Sequence, residues 1–431
     1  MARGFLMAIP TLTWSAFSYS RTTYLLLLNC VEMKIKRLLG LALPCAFGLV
    51  VSTCTNQANA AGLSNYGLID TIPVPAGNPL QNFDVSFVDS ATGTYYLSDR
   101  ANSRVDIINT RTDTLIGSIG GFSGFPNGNK TIGGSNGVFV VNNSSQLFAD
   151  NGDSAVKVVD LTSNTIVKSI STGGTKRADE GAYDSTDNIA LVINGADSSP
   201  FGSLISTTSD TVTKTVTIPG ATAGLEAPTW DSANDQFYLS VPELNGSSTD
   251  GGVAQIDPKT GAVVNVFSLP GCSPAGIAVN PTNQQLLLGC GTEGLIVNAT
   301  NGHIIASLPE VGGADQVWYN PGDNHFYLGS AGSPSGPVLG IVDASTDMLL
   351  QTISTTPGAK AVSADSVNNR IFVALTPNST VANCTNGCVG VYATVPEPSS
   401  ILGTLAFGAI GAGYLLKGLN IGFVQPSATQ R

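Results

Sequence analysis

Between residues 83 and 394 short apolar runs alternate with polar turns in one repeating order. A strand-like run leads to a turn marked by Asp or Asn, and a second run rich in Val, Ile and Leu follows. Seven copies are visible: FVDSATGTYYLS from Phe87, VVNNSSQLFAD from Val140, YDSTDNIALVI from Tyr183, WDSANDQFYLS from Trp230, VNPTNQQLLLG from Val279, YNPGDNHFYLG from Tyr319 and ADSVNNRIFVA from Ala364. Their markers Asp89, Asn142, Asp184, Asp231, Asn280, Asn320 and Asp365 stand 40 to 53 residues apart, the length of one four-stranded blade. A second hairpin follows each copy, as in VDIINTRTDTLIGSI from Val105, VKVVDLTSNTIVKSI from Val156 and GLIVNATNGHIIASL from Gly294.

Four strands per copy and seven copies predict an all-β fold, a seven-bladed β-propeller over residues 61–394. Each blade buries its apolar faces only against its neighbours, so the ring must close. Blade seven offers strands near 361–375 and at Val389–Ala393 but no fourth. Residues 66–74, YGLIDTIPV, have the fourth-strand pattern and precede blade one, so they are expected to complete blade seven. A pair of β-sandwiches would not leave complementary gaps at both termini. The stretch GGFSGFPNGNKTIGGSNG from Gly120 lacks the Gly-Lys-Ser/Thr ending of a phosphate loop and reads as a long connection between blades one and two.

The repeats resemble the YVTN-type propeller repeats of bacterial surface-layer and periplasmic proteins, carried by the marker turns and by hairpins such as IDPKTGAVVNV from Ile256. That resemblance implies the fold and leaves function open, because propellers host enzymes, binders and scaffolds alike.

The ends of the chain carry a different pattern. Lys34, Lys36 and Arg37 precede an apolar run from Leu38 to Val51 and then Ala58-Asn59-Ala60, the order of a secretory signal, with cleavage expected after Ala60. Met33 begins that signal, so residues 1–32 read as an over-called start or an N-terminal extension. Cys54 follows an apolar run, but Thr53 is large for the residue before a lipidated cysteine. At the other end VPEPSS from Val395 is followed by sixteen apolar or small residues, 401–416, and Lys417. Pro396, Glu397 and Pro398 resemble the PEP-CTERM sorting signal. The resemblance implies a sorting and transmembrane segment over residues 395–431 with a C-terminal hydrophobic helix at 401–416, an exosortase-type partner, and export to a membrane-tethered, cell-surface or extracellular-matrix location. A single Lys417 stands where that family has a basic cluster. As a helix the apolar segment would rise about 24 Å, short of a ~30 Å hydrocarbon core.

Composition narrows the function. The net charge of −11 gives no basic footprint for nucleic acid. Cys272, Cys290, Cys384 and Cys388 are the even set left in the secreted body, and fit an oxidising compartment. Local spacing pairs Cys272 with Cys290 and Cys384 with Cys388; zinc is the rival for the tighter pair. The two histidines fall where the repeat explains them, His303 in an outer hairpin and His325 after a marker turn, so a His-based nucleophile pair is not expected.

One constellation remains. Five residues before each marker stand Asp84, Gly137, Asp179, Glu226, Ala275, Asp315 and Lys360, which places four carboxylates before inner strands, at one mouth of the central channel. Converging carboxylates bind hard cations such as Ca²⁺, or divide into acid and base; alternatively they are solvated loop residues. The sequence therefore supports an exported recognition platform for extracellular polysaccharide or a surface protein, and, as an alternative, a metal-dependent hydrolase or lactonase with an acidic site.

Overall fold

The Val-, Ile- and Leu-rich runs form strands because each lies in a sheet that is covered by another sheet on both faces. The computed structural model describes residues 65–396. The leader, Glu397, Pro398 and the apolar segment 401–416 lie outside them, and Pro396 is the last described residue. Seven antiparallel four-stranded sheets follow one another, six of them in chain order from an inner to an outer strand. The inner strands are Ser86–Asp89, Val138–Val141, Gly181–Asp184, Pro228–Asp231, Ile277–Asn280, Ala314–Asn320 and Val362–Asp365. Each touches the next, and the first touches the last, so they form a closed ring around a central channel. The body is a seven-bladed β-propeller.

Burial explains why the second strand of each copy reads as an unbroken apolar run. In Gln285–Gly289 every residue is buried, whereas outer strands such as Thr165–Ser171 keep one face in solvent. The markers are turn residues. Asp184 Oδ1 accepts the backbone N–H groups of Thr186 and Asp187, at 2.8 and 3.2 Å, and Asp231, Asn280, Asn320 and Asp365 accept from the residue two positions on in the same way. Such Asx turns fix the hairpin with a short polar side chain. Asp160, Asp257, Asn298 and Asp343 repeat the device between third and fourth strands.

Closure follows the expected route. Asn65–Pro73 pairs antiparallel with Cys388–Val395 as the fourth strand of blade seven. It copies the other outer strands in detail. In blades one, two, four and five a single residue is bulged out between third and fourth strands, at Ile116, Val167, Val264 and Ile305, and each of these is exposed. The closing strand bulges at Ile69, likewise exposed, and three residues later places a buried Ile72, matching the buried Ile119 and Ile170. The exposed aliphatic side chains are thus a consequence of strand geometry.

Both cysteine pairs are disulfides. Cys272–Cys290 brackets the inner hairpin of blade five, and Cys384–Cys388 closes a short loop before the last strand, with Cα separations of 5.1 and 4.9 Å. Blade four carries one addition, a two-stranded ribbon of Ala221–Ala223 with Glu243–Leu244. Residues 121–137 make the long connection between blades one and two, with two short 3₁₀ turns.

Candidate functional site: an aromatic channel behind a charged mouth

The inner strands run from the mouth to the marker turns, so residues just ahead of them gather at one end. Asp84 and Asp179 are buried, Glu226 and Asp315 half-buried, so none is a freely solvated loop carboxylate. Asp315 does not precede its strand as its neighbours do. It is the bulged residue of Ala314–Asn320, where the pairing register shifts between Ala314 and Gln316, and a bulge re-aims a side chain.

The cluster carries its own cations. Lys360 Nζ sits 2.7 Å from Asp84 Oδ1 and 2.5 Å from Asp315 Oδ2, linking blades one, six and seven. Arg100, only 1% exposed, pairs with the other oxygen of Asp84 and donates from Nη2 to Asn136 Oδ1 at 2.7 Å. Arg177 Nη2 lies 2.5 Å from Asp179 Oδ2. Burial works to raise the Asp84 carboxyl, but Lys360, Arg100 and Arg177 outweigh it and hold it well below the usual range. Glu226 has no such partner. Burial, with the charges of Asp179 and Asp315, pushes it up to about 8 against the opposing pull of Arg177.

Two further carboxyls complete the mouth, and the repeat register does not reveal them. Asp150, fully buried, comes from the second strand of blade two, and neither of its oxygens has a hydrogen-bond partner. It occupies the space that blade two leaves by carrying Gly137 at the mouth position: a Cβ there would collide with Asp150 Oδ2. Glu180, 8% exposed, follows Asp179 and lines the channel. Burial first, then neighbouring carboxylates, pushes both well above the ordinary range. The visible signal for Glu180 is its adjacency to Asp179. Asp150 has none outside the three-dimensional packing.

Behind the mouth the channel is a cavity of about 430 Å³, walled by the inner strands of blades one to six. Its lining includes Phe87, Tyr183, Trp230 and Trp318, with the Phe87 and Trp318 rings edge to face at 5.4 Å. Blade seven is closed off by Gln316. Its Oε1 accepts the N–H groups of Ser86 and Val362 at 3.1 and 2.9 Å, and its Nε2 donates to Ser86 O at 2.6 Å, so one side chain from blade six ties the inner strands of blades one and seven. A mainly apolar cavity with a few convergent polar groups at its entrance is the usual form of a ligand site.

The histidines stand apart from this site. His325 Nδ1 lies 2.8 Å from the Tyr66 hydroxyl under the closing strand, and His303 is exposed in an outer hairpin. The turn residues lie at the far end, where Asn283 Nδ2 donates to Ala344 O at 2.9 Å.

Comparison with known proteins bears on the architecture. No family model matches the chain, and no curated protein does. A solved structure of Kuenenia stuttgartiensis hydrazine synthase is similar, at 14% identity, over 74% of this chain and 96% of that one, with a TM-score of 0.59. That likeness is one of fold alone.

Proposed function

We propose that this protein is an exported, surface- or matrix-associated propeller that binds its ligand in the central channel, with glycan, polymer or protein as the ligand class. One observation carries the reading: a 430 Å³ cavity lined with aromatic rings opens behind a mouth whose carboxylates are held in place by Lys360, Arg100 and Arg177. Aromatic faces supply rigid apolar contact area, and Glu180, whose carboxyl is pushed well above the ordinary range by burial, supplies a polar group among them, a combination suited to stacking and orienting a sugar ring. The two disulfides agree with folding in an oxidising compartment. Export, sorting by an exosortase-type enzyme and membrane attachment through residues 401–416 rest on the leader and on the PEP-CTERM resemblance. Intact mass measurement of protein from its native host tests them. Cleavage after Ala60 and near Pro398 supports the reading, and retention of the leader in the mature protein contradicts it.

A second reading, a metal-dependent hydrolase or lactonase with Ca²⁺ at the mouth, draws on Glu226. Its carboxyl, raised by burial and by the charges of Asp179 and Asp315, is the kind of group that such chemistry uses as its acid. Metal analysis separates the two readings: a stoichiometric divalent ion lost on Asp179→Asn, Glu226→Gln substitution favours the hydrolase.

A further inference from the structure

At the far end of the ring the marker turns of neighbouring blades meet, and the junctions differ in what they place there. In six blades the residue four after the marker has a left-handed backbone, at Gly93, Asn188, Asp235, Gln284, Asn324 and Asn369. At two junctions the marker of one blade reaches the equivalent residue of the next: Asn280 Nδ2 donates to Asn324 Oδ1 at 3.3 Å, and Asn320 Nδ2 to Asn369 Oδ1 at 3.1 Å. Between blades three and four the same two positions hold Asp184 and Asp235. An amide pair satisfies itself; a carboxylate pair has no proton to share and repels.

A third carboxylate joins them. Asp184, Asp187 and Asp235 each offer an oxygen, and the three oxygens lie within 4.8 Å of one another, the only such trio of potential ligands among the described residues. Lys259 Nζ reaches Asp187 and Asp235, at 3.0 and 3.1 Å, but does not pair with Asp184. Asp184 is fully buried. One of its oxygens accepts the two turn N–H groups, and the other, Oδ2, has no partner. Burial raises the Asp184 carboxyl, and the charges of Asp187 and Asp235 raise it further.

We infer that the blade three–four junction is a divalent-cation site, in which Asp184 Oδ2, Asp187 and Asp235 hold Ca²⁺ in the place where the blade five–six and six–seven junctions have an amide bridge. Three carboxylates and one lysine leave a local charge of minus two, which one divalent ion neutralises. Ca²⁺ takes six to eight oxygen ligands in flexible geometry, so an open turn contributing three carboxylates and water suits it better than Mg²⁺, which demands a near-ideal octahedron. The site stitches two blades and is independent of the channel.

The test is thermal melting of chelator-stripped protein in CaCl₂ against NaCl of equal ionic strength. Extracellular-type sites bind in the range of about 0.1–1 mM. CaCl₂ at about 10 mM is therefore expected to raise Tm by roughly 2 °C or more. Asp235→Asn, which introduces the amide found at the blade five–six and six–seven junctions and keeps a side chain that tolerates the left-handed turn, is expected to abolish the calcium response. Lys259→Ala, which removes the competing ammonium, is expected to lower the calcium concentration needed. A wild-type Tm that ignores calcium, or an Asp235→Asn variant that responds as the wild type does, overturns the assignment. So does a junction that responds to pH and not to calcium, which would mean that a shared proton bridges the carboxylates.

Discussion

The Tyr66 hydroxyl and His325 Nδ1 lie 2.8 Å apart, so the first strand of the ring is fastened to blade six across 259 residues of chain. Gln351 reinforces the contact, accepting from Tyr66 N at 2.8 Å and donating to Tyr66 O at 2.9 Å. The closing strand thus pairs with blade seven along its length and is anchored to blade six at Tyr66. Protein beginning at Asn78 should melt well below protein beginning at Ala61, and Tyr66→Phe should cost about 1 kcal/mol by denaturant unfolding. Equal melting temperatures for the two lengths would refute closure.

Arg100 is the most deeply buried cation of the mouth. Its substitution by Met leaves Asp84 with Lys360 as its one direct ion-pair partner and strips Asn136 Oδ1 of its donor. Removing one member of a buried pair costs about 3–5 kcal/mol. Chemical denaturation should show a loss of this size, and a loss under about 1 kcal/mol would mean that the pair is not formed.

Much of this architecture is legible in the sequence. Marker spacing reveals the blades because six of the seven turns use a short side chain that accepts backbone N–H groups, and the missing fourth strand of blade seven points to residues 66–74. The register also shows that Asp84, Asp179, Glu226, Asp315 and Lys360 share one end. What cannot be read is anything contributed out of register. Asp150 reaches the mouth from a second strand because Gly137 leaves room, and Arg100 folds back from the turn after its strand. Trp230 and Trp318 look like ordinary strand aromatics, since a channel-facing ring and a core ring have the same β-propensity.

Stability should fall as pH rises across the mouth's titration. Glu226 has a folded pKa near 8 against an ordinary 4.5. The folded state therefore holds the proton more tightly, and its advantage is complete below about 4.5 and is lost as pH rises through about 8. Glu180 and Asp150 shift in the same direction. Asp84, shifted down, acts oppositely and only in strong acid. Tm measured from pH 5 to 9 should decline, and Glu226→Gln should flatten the decline. An unchanged slope in that variant would remove Glu226 as its source.

Reduction should weaken the ring unequally. The Cys272–Cys290 bridge spans 18 positions and the Cys384–Cys388 bridge 4, so loop entropy assigns them about 3 and about 2 kcal/mol. Paired Cys→Ser substitutions should rank in that order by denaturant midpoint. Reactive thiols on the exported protein would contradict the pairings.

The central claim, that the channel is the binding site, has a built-in reporter. Of the chain's 3 tryptophans one lies in the leader, at Trp14, and the other two, Trp230 and Trp318, both line the channel. Titrating the protein with the extracellular polysaccharide fraction of its native host, while following tryptophan emission, should give a saturable spectral change. Trp318→Ala, with its fold verified by melting, should bind at least tenfold more weakly. Emission that never responds to that fraction, or a Trp318→Ala variant that retains full affinity, would contradict it.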